Sequence, residues 1–209
     1  MSDPINVLLV ENQALTRIGL KAVLATADDI NLAAEAGSSF EGLEMFRSVR
    51  PDIVILSLRM PDSCAIDDID NYFIEDRDAK IIVLAEHAGD VEIRRALRKG
   101  ARGYICKDVT PDDLLTAIRT VNAGRKFIPP EIAGILSEHL GQEDLTPTEE
   151  TVLRMVVGGM SNKEIAFALD ITENTVKTHV QNLFSKIGVS DRTSAAMLAI
   201  KRGLVRIDL

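Results

Sequence analysis

Four short apolar runs in the first half of the chain lead to positions where a charged group could be bound. Ile5-Asn-Val-Leu-Leu-Val10 runs into Glu11-Asn12, Pro51-Asp-Ile-Val-Ile-Leu runs into Ser57, Lys80-Ile-Ile-Val-Leu ends on Ala85, and Gly103-Tyr-Ile-Cys106 runs into Lys107. If the runs are neighbouring parallel strands, their ends form one pocket, because ligands in such folds sit at the carboxyl ends of strands. A single carboxylate beside an amide is a weak site for a hard cation, which wants several oxygen anions. A serine hydroxyl is a poor nucleophile at neutral pH without a base. A buried lysine needs a partner, and we expect Lys107 to pair with Glu11, with Ser57 or Asn12 hydrogen-bonded nearby. Solvent exposure of Lys107 is the alternative.

A second set of residues suits a different task. From Ser161 to Gly188 the sequence reads as two helices joined by the turn Asp170-Ile171-Thr172. Ser161 and Glu164 have capping-box spacing, and Thr172 can cap the second helix. Val176, Val180, Leu183, Phe184 and Ile187 recur at helical spacing and predict a buried stripe. Asn174, Thr178, Gln181, Asn182 and Ser185 fall opposite it, flanked by Lys177 and Lys186. Amides, hydroxyls and lysines on one helix face suit the major groove of double-stranded DNA.

Other chemistries lack their residues. Cys64 and Cys106 have no metal spacing, and His87, His139 and His179 are far apart in sequence. The cysteines read as reduced residues of a cytosolic protein. There is no nucleophile–base pair, so neither an enzyme nor a bound metal or cofactor is expected. Met-Ser-Asp-Pro opens the chain without a basic region or apolar run, so no signal peptide is expected. No apolar stretch approaches the ~20 residues that span a bilayer, and a cytoplasmic protein without membrane contact is the expectation.

The 209 residues suit one large domain or two small ones, and the net charge is −8. Residues 143–209 hold 8 basic and 9 acidic side chains, leaving 16 and 23 for residues 1–142. The acid excess therefore sits outside the second set of residues, where it would oppose DNA binding. Helices are predicted over residues 13–25, 39–48, 65–74, 89–99 and 111–122, and a weaker strand over 30–35. Five strand–helix alternations predict a parallel sheet with helices on both faces. A short helix over 130–140 and a polar link, Gly141-Gln-Glu-Asp144, follow. Thr146-Pro-Thr-Glu149 then opens a helical domain with another capping box. The last helix, with Ala195-Ala-Met-Leu-Ala-Ile200, is apolar all round; one face must pack inward and the other is available for a second copy.

Leu145-Thr-Pro-Thr-Glu149, Val152-Leu153, Gly159-Met-Ser-Asn-Lys-Glu-Ile-Ala166, Thr175-Val-Lys-Thr-His-Val180, Lys186-Ile-Gly-Val189 and Arg192-Thr together resemble the LuxR-type helix-turn-helix. This is the all-α, four-helix effector domain of NarL/FixJ response regulators. Thr148 departs from that pattern, which usually has Arg. The first half is similar to a receiver domain, a five-stranded, doubly wound, flavodoxin-like (CheY-like) α/β fold. The likeness lies in Val7-Leu-Leu-Val10, Arg17-Ile-Gly-Leu20, Pro51-Asp-Ile-Val54, Leu58-Arg-Met-Pro61, Gly100-Ala-Arg-Gly-Tyr104 and Lys107-Asp108. The expected division is a receiver over 1–124, a linker with a short helix over 125–144 and the helix-turn-helix domain over 145–209.

The resemblance implies an aspartyl acceptor, two acidic residues for Mg²⁺, a switch hydroxyl, an aromatic switch residue and a lysine. Here those positions hold Ser57, Glu11-Asn12, Ala85, Tyr104 and Lys107. Only the last two keep the pattern, so the receiver is expected to be degenerate. The implied function is a dimeric, sequence-specific transcription regulator that works without aspartyl phosphorylation. Lys177, Thr178 and Gln181 are expected at base edges, and Lys163, Thr175, Asn182 and Lys186 at phosphates; His179 serves either DNA or packing. RNA polymerase or another regulator are further expected partners. Two other readings stay open: a regulator whose altered pocket takes a small ligand, and a pseudo-receiver acting through protein–protein contacts.

Overall fold

The computed structural model describes residues 3–87, 89–138 and 145–205. The chain divides into two compact units, each with its own apolar core.

The first unit is built on five parallel strands: β1 (Ile5–Val10), β2 (Ile30–Ala36), β3 (Ile53–Ser57), β4 (Ile81–Ala85) and β5 (Gly103–Cys106), in the order β2-β1-β3-β4-β5. The central strands are continuous apolar runs because both faces of the sheet are covered. Val7, Leu9, Ile53, Ile55, Ile82 and Leu84 share one core with Leu20 and Leu24 of α1 (Ala14–Leu24) and Leu114, Ile118 and Val121 of α5 (Pro111–Asn122). The alternate residues, such as Leu8 and Val10, are equally buried. On that side lie α2 (Ser39–Val49) and α3 (Ala65–Glu75), where Phe46 and Tyr72 meet edge to face at 5.2 Å. The helix α4 (Asp90–Arg98) precedes β5. The expected α/β architecture is thus observed. β2 reads weakly because it is an edge strand, with only Ile30 and Ala36 fully buried.

After α5 comes α6 (Pro130–Glu138). The end of the helix expected over 130–140 and the link Gly141–Asp144 lie outside the described residues. The second unit contains α7 (Pro147–Val157), α8 (Asn162–Leu169), α9 (Glu173–Ile187) and α10 (Arg192–Lys201). Val152, Leu153, Ile165, Val176, Leu183, Ile187, Ala195 and Ala199 form its core. The opposite side of α10 leaves Met197 69% and Ile200 47% exposed.

Candidate functional site

The strand-end pocket assembles as the topology requires. Pairing continues one residue beyond the strands: the Glu11 amide donates to the Ala36 carbonyl at 3.0 Å, and the Lys107 amide to the Ala85 carbonyl at 2.7 Å. This fixes where Glu11 and Lys107 leave the sheet. Glu11 is fully buried and Ser57 is 1% exposed. Lys107 Nζ lies 3.0 Å from Glu11 Oε2. The contact is electrostatic, because among the described residues no donor meets this oxygen at hydrogen-bonding angles. Glu11 Oε1 accepts the Gln13 amide at 2.7 Å, and the Glu11 carbonyl accepts Arg17 at 2.7 Å.

The expected Lys107–Glu11 pair is therefore present, and the solvent-facing alternative is not. Its second partner differs from expectation. Lys107 donates to Gln13 Oε1 at 3.1 Å, while neither Ser57 nor Asn12 reaches it among the described residues. Gln13 also donates through Nε2 to Glu86 at 2.6 Å, and Glu86 stands 3.9 Å from Lys107. Gln13 thus ties the turn before α1 to the segment after β4, across the pocket mouth. Serine's one-carbon arm is too short for that span; glutamine's is not. Gln13 and Glu86 were missed because each lies just past a strand end in an exposed stretch without periodicity. Ala85 is buried and presents only a methyl group. Tyr104 is fully buried, and its hydroxyl donates to the His87 carbonyl at 3.4 Å. Among the described residues, no group of three or more His, Cys, Asp or Glu side chains could hold a metal ion.

In the second unit, reciprocal capping boxes open α7 (Thr146 with Glu149) and α8 (Ser161 with Glu164), and Thr172 accepts the Thr175 amide to cap α9. Asp170, at φ 53°, turns the chain left-handed between α8 and α9. This is the tight turn of the sequence reading, on a residue type that tolerates that conformation. Gly188, at φ 74°, ends α9, where a side chain would be strained. Val176, Leu183 and Ile187 are buried, with Val180 and Phe184 packed partly against them. Lys163, Thr175, Lys177, Thr178, Gln181 and Asn182 are exposed, and His179 is half-buried. Thr178 Oγ1 donates back to the Asn174 carbonyl at 3.1 Å. Lys186 stands apart from the other lysines: its side chain is 23% exposed, and Nζ lies 2.9 Å from Glu149 Oε2. Burial works to raise the Glu149 carboxyl, but the Thr146 amide and the Lys186 ammonium outweigh it and hold it below the usual carboxylate range.

Residues 7–119 match the response regulator receiver domain, and residues 143–199 match the bacterial regulatory proteins of the luxR family. The transcriptional regulatory protein MctR of Rhizobium johnstonii is 37% identical, over 96% of this chain and 95% of that protein. The nitrate/nitrite response regulator protein NarL of Escherichia coli K12 is 31% identical, over 93% and 94%. RcsB of Salmonella enterica serovar Typhimurium, solved bound to a promoter, aligns with a TM-score of 0.76 over 95% of this chain and 99% of that one. At 22% identity that likeness speaks for the fold alone.

Proposed function

The chain belongs to the NarL/FixJ family of response regulators, and from that premise we propose that it is a sequence-specific DNA-binding transcription regulator that works without aspartyl phosphorylation. The observation that carries the DNA reading is α9, buried along one stripe, with Lys177, Thr178 and Gln181 exposed on the other side. These three read base edges; Lys163, Thr175 and Asn182 hold phosphates. Lys186 serves first to anchor α9 to α7 through Glu149. The exposed Met197 and Ile200 of α10 pair with a second copy, as two-fold half-sites require.

The receiver reading rests on charge. Phosphoryl transfer to a carboxylate needs Mg²⁺ and a cation free to grip the phosphoryl oxygens. Ser57 supplies no carboxylate, and Lys107 is held by Glu11 and Gln13. The ion pair stands in for the phosphate contact and keeps the pocket in one arrangement. The test is binding of the full-length protein to duplexes enriched from a random pool, before and after acetyl phosphate with Mg²⁺, with intact mass alongside. The expected result is specific binding, no phosphoryl adduct and unchanged affinity. An adduct that alters affinity would overturn phosphorylation independence, and a failure to enrich any sequence would overturn the DNA reading.

A further inference from the structure

Asn174 lies opposite the buried stripe of α9, and the DNA reading above gives it no task. Successive residues turn about 100° around a helix axis. By that count Val176, Leu183 and Ile187 all lie within about 20° of one direction, which points into the core. About the opposite direction, Asn174 and Thr178 each stand about 20° off centre, Gln181 about 40° and Lys177 about 80°. All four are exposed. Asn174 therefore faces away from the core more squarely than Lys177. It also sits in the first turn of α9, the end of a recognition helix that meets base edges.

Contacts within the protein leave its amide free. Among the described residues the Asn174 and Gln181 side chains have no hydrogen-bond partner. The Asn174 carbonyl accepts the Thr178 hydroxyl at 3.1 Å. That bond uses the one proton Thr178 can give. What Thr178 keeps for a partner is its methyl group and its acceptor lone pairs, and the methyl suits the C5-methyl of thymine.

The two amides have a different chemistry. A carboxamide offers an acceptor and a donor side by side, the complement of the N6 amino group and N7 of adenine. Guanine presents two acceptors, N7 and O6, and would leave the amide oxygen unpaired. Asn174 and Gln181 are seven residues apart, within about 20° of two whole turns and about 10.5 Å along the axis. On a helix lying along the major groove that distance is about three base-pair steps of about 3.4 Å. We propose that Asn174 determines specificity by reading one adenine, while Gln181 reads a second about three base pairs away. Specificity of this kind rests on α9 being the groove-reading helix, and it adds to that role one residue and the identity of two bases.

The test uses the full-length protein and the site it enriches from a pool of random duplexes, with every single-base change of that site measured in turn. Asn174→Ala is expected to weaken binding to the enriched site roughly tenfold and to abolish the preference at one A·T pair. Gln181→Ala should do the same at a second A·T pair about three positions away. 7-Deazaadenine, placed at each adenine of the site in turn, removes the N7 acceptor. The wild-type protein should lose affinity several-fold at those two positions, and Asn174→Ala should be insensitive at one of them. The wild-type arm decides even if Asn174→Ala does not fold. Binding by Asn174→Ala that equals wild type, that weakens evenly across all base changes as a lost phosphate contact would, or that loses a G·C preference instead overturns the Asn174 assignment, while Gln181→Ala still relaxes one position. If Asn174→Ala, Lys177→Ala and Gln181→Ala all keep the wild-type preference at every position, the placement of α9 in the groove falls, and the assignment with it.

Discussion

Each unit holds a buried glutamate against a lysine, and the two pairs leave different groups free. In the receiver, Glu11 is fully buried and holds Lys107, and Gln13 and Glu86 complete the network. On the function proposed above, the cation that would otherwise grip a phosphoryl group is used inside the protein. In the effector, Glu149 holds Lys186 and fixes α9 against α7. That pair leaves Lys177 and Gln181 exposed, without protein partners among the described residues. The difference teaches that a buried ion pair can replace a ligand or prepare a surface for one, depending on what it leaves free. Breaking a buried pair from one side costs more than removing both partners, because an uncompensated charge remains.

The largest effect expected from breaking this comparison is at Glu11. Glu11→Ala should destabilise the receiver by about 3 kcal/mol, since Lys107 would keep only Gln13 and the more distant Glu86. Native-state hydrogen exchange at the amides of β1 and β3 in the full-length protein measures this locally. Adding Lys107→Met should recover much of the loss, giving a clear coupling energy in a double-mutant cycle. Exchange unchanged by Glu11→Ala would mean that the pair does not hold the pocket.

The effector side is probed by Lys177→Ala and Gln181→Ala, each expected to cost about 1–3 kcal/mol of specific affinity and to relax the preference at one base position. Lys163→Ala should instead weaken binding evenly across sequences and reduce its salt dependence. None of the three changes should alter folding, because Lys163, Lys177 and Gln181 are all exposed. Wild-type selectivity in the Lys177→Ala and Gln181→Ala variants would move base readout off α9.

Much of this contrast is legible in the sequence, for physical reasons. Both reciprocal capping boxes are local, so Ser161–Glu164 and Thr146–Glu149 can be read from spacing alone. The buried runs of β1, β3 and β4 fix the positions of Glu11, Ser57 and Ala85 at strand ends. The Lys107–Glu11 pair is found the same way, because a buried lysine demands an acid and Glu11 directly follows the buried run of β1. Gln13 and Glu86 are different. They lie in turns, and their meeting across 73 residues depends on turn conformation, which leaves no periodic trace. The Lys186–Glu149 pair was also hidden: a lysine near the end of a helix reads naturally as a phosphate contact, and only packing shows that it reaches back to α7.

That last pair gives the smallest and most specific prediction. The Glu149 side chain is 6% exposed, and its carboxyl is held below the usual range because the Thr146 amide and Lys186 outweigh the effect of burial. A carboxyl depressed in the folded state contributes stability above its unfolded pKa of about 4.3, and that contribution is lost as pH falls through the lower folded value. The effector should therefore weaken on acidification below about pH 4.3. Glu149→Gln keeps an acceptor for the Thr146 amide but cannot titrate, so it should flatten this part of the acid limb while lowering stability near pH 7 by about 1–2 kcal/mol. Lys186→Met should act in the same direction, because it removes one of the two groups that lower the carboxyl. Thermal unfolding followed by the amides of α7 and α9 between pH 3 and 7 measures both. If the acid limb of Glu149→Gln matches wild type, then Glu149 is not the group whose protonation loosens α9, and the parallel between the two buried pairs fails on the effector side.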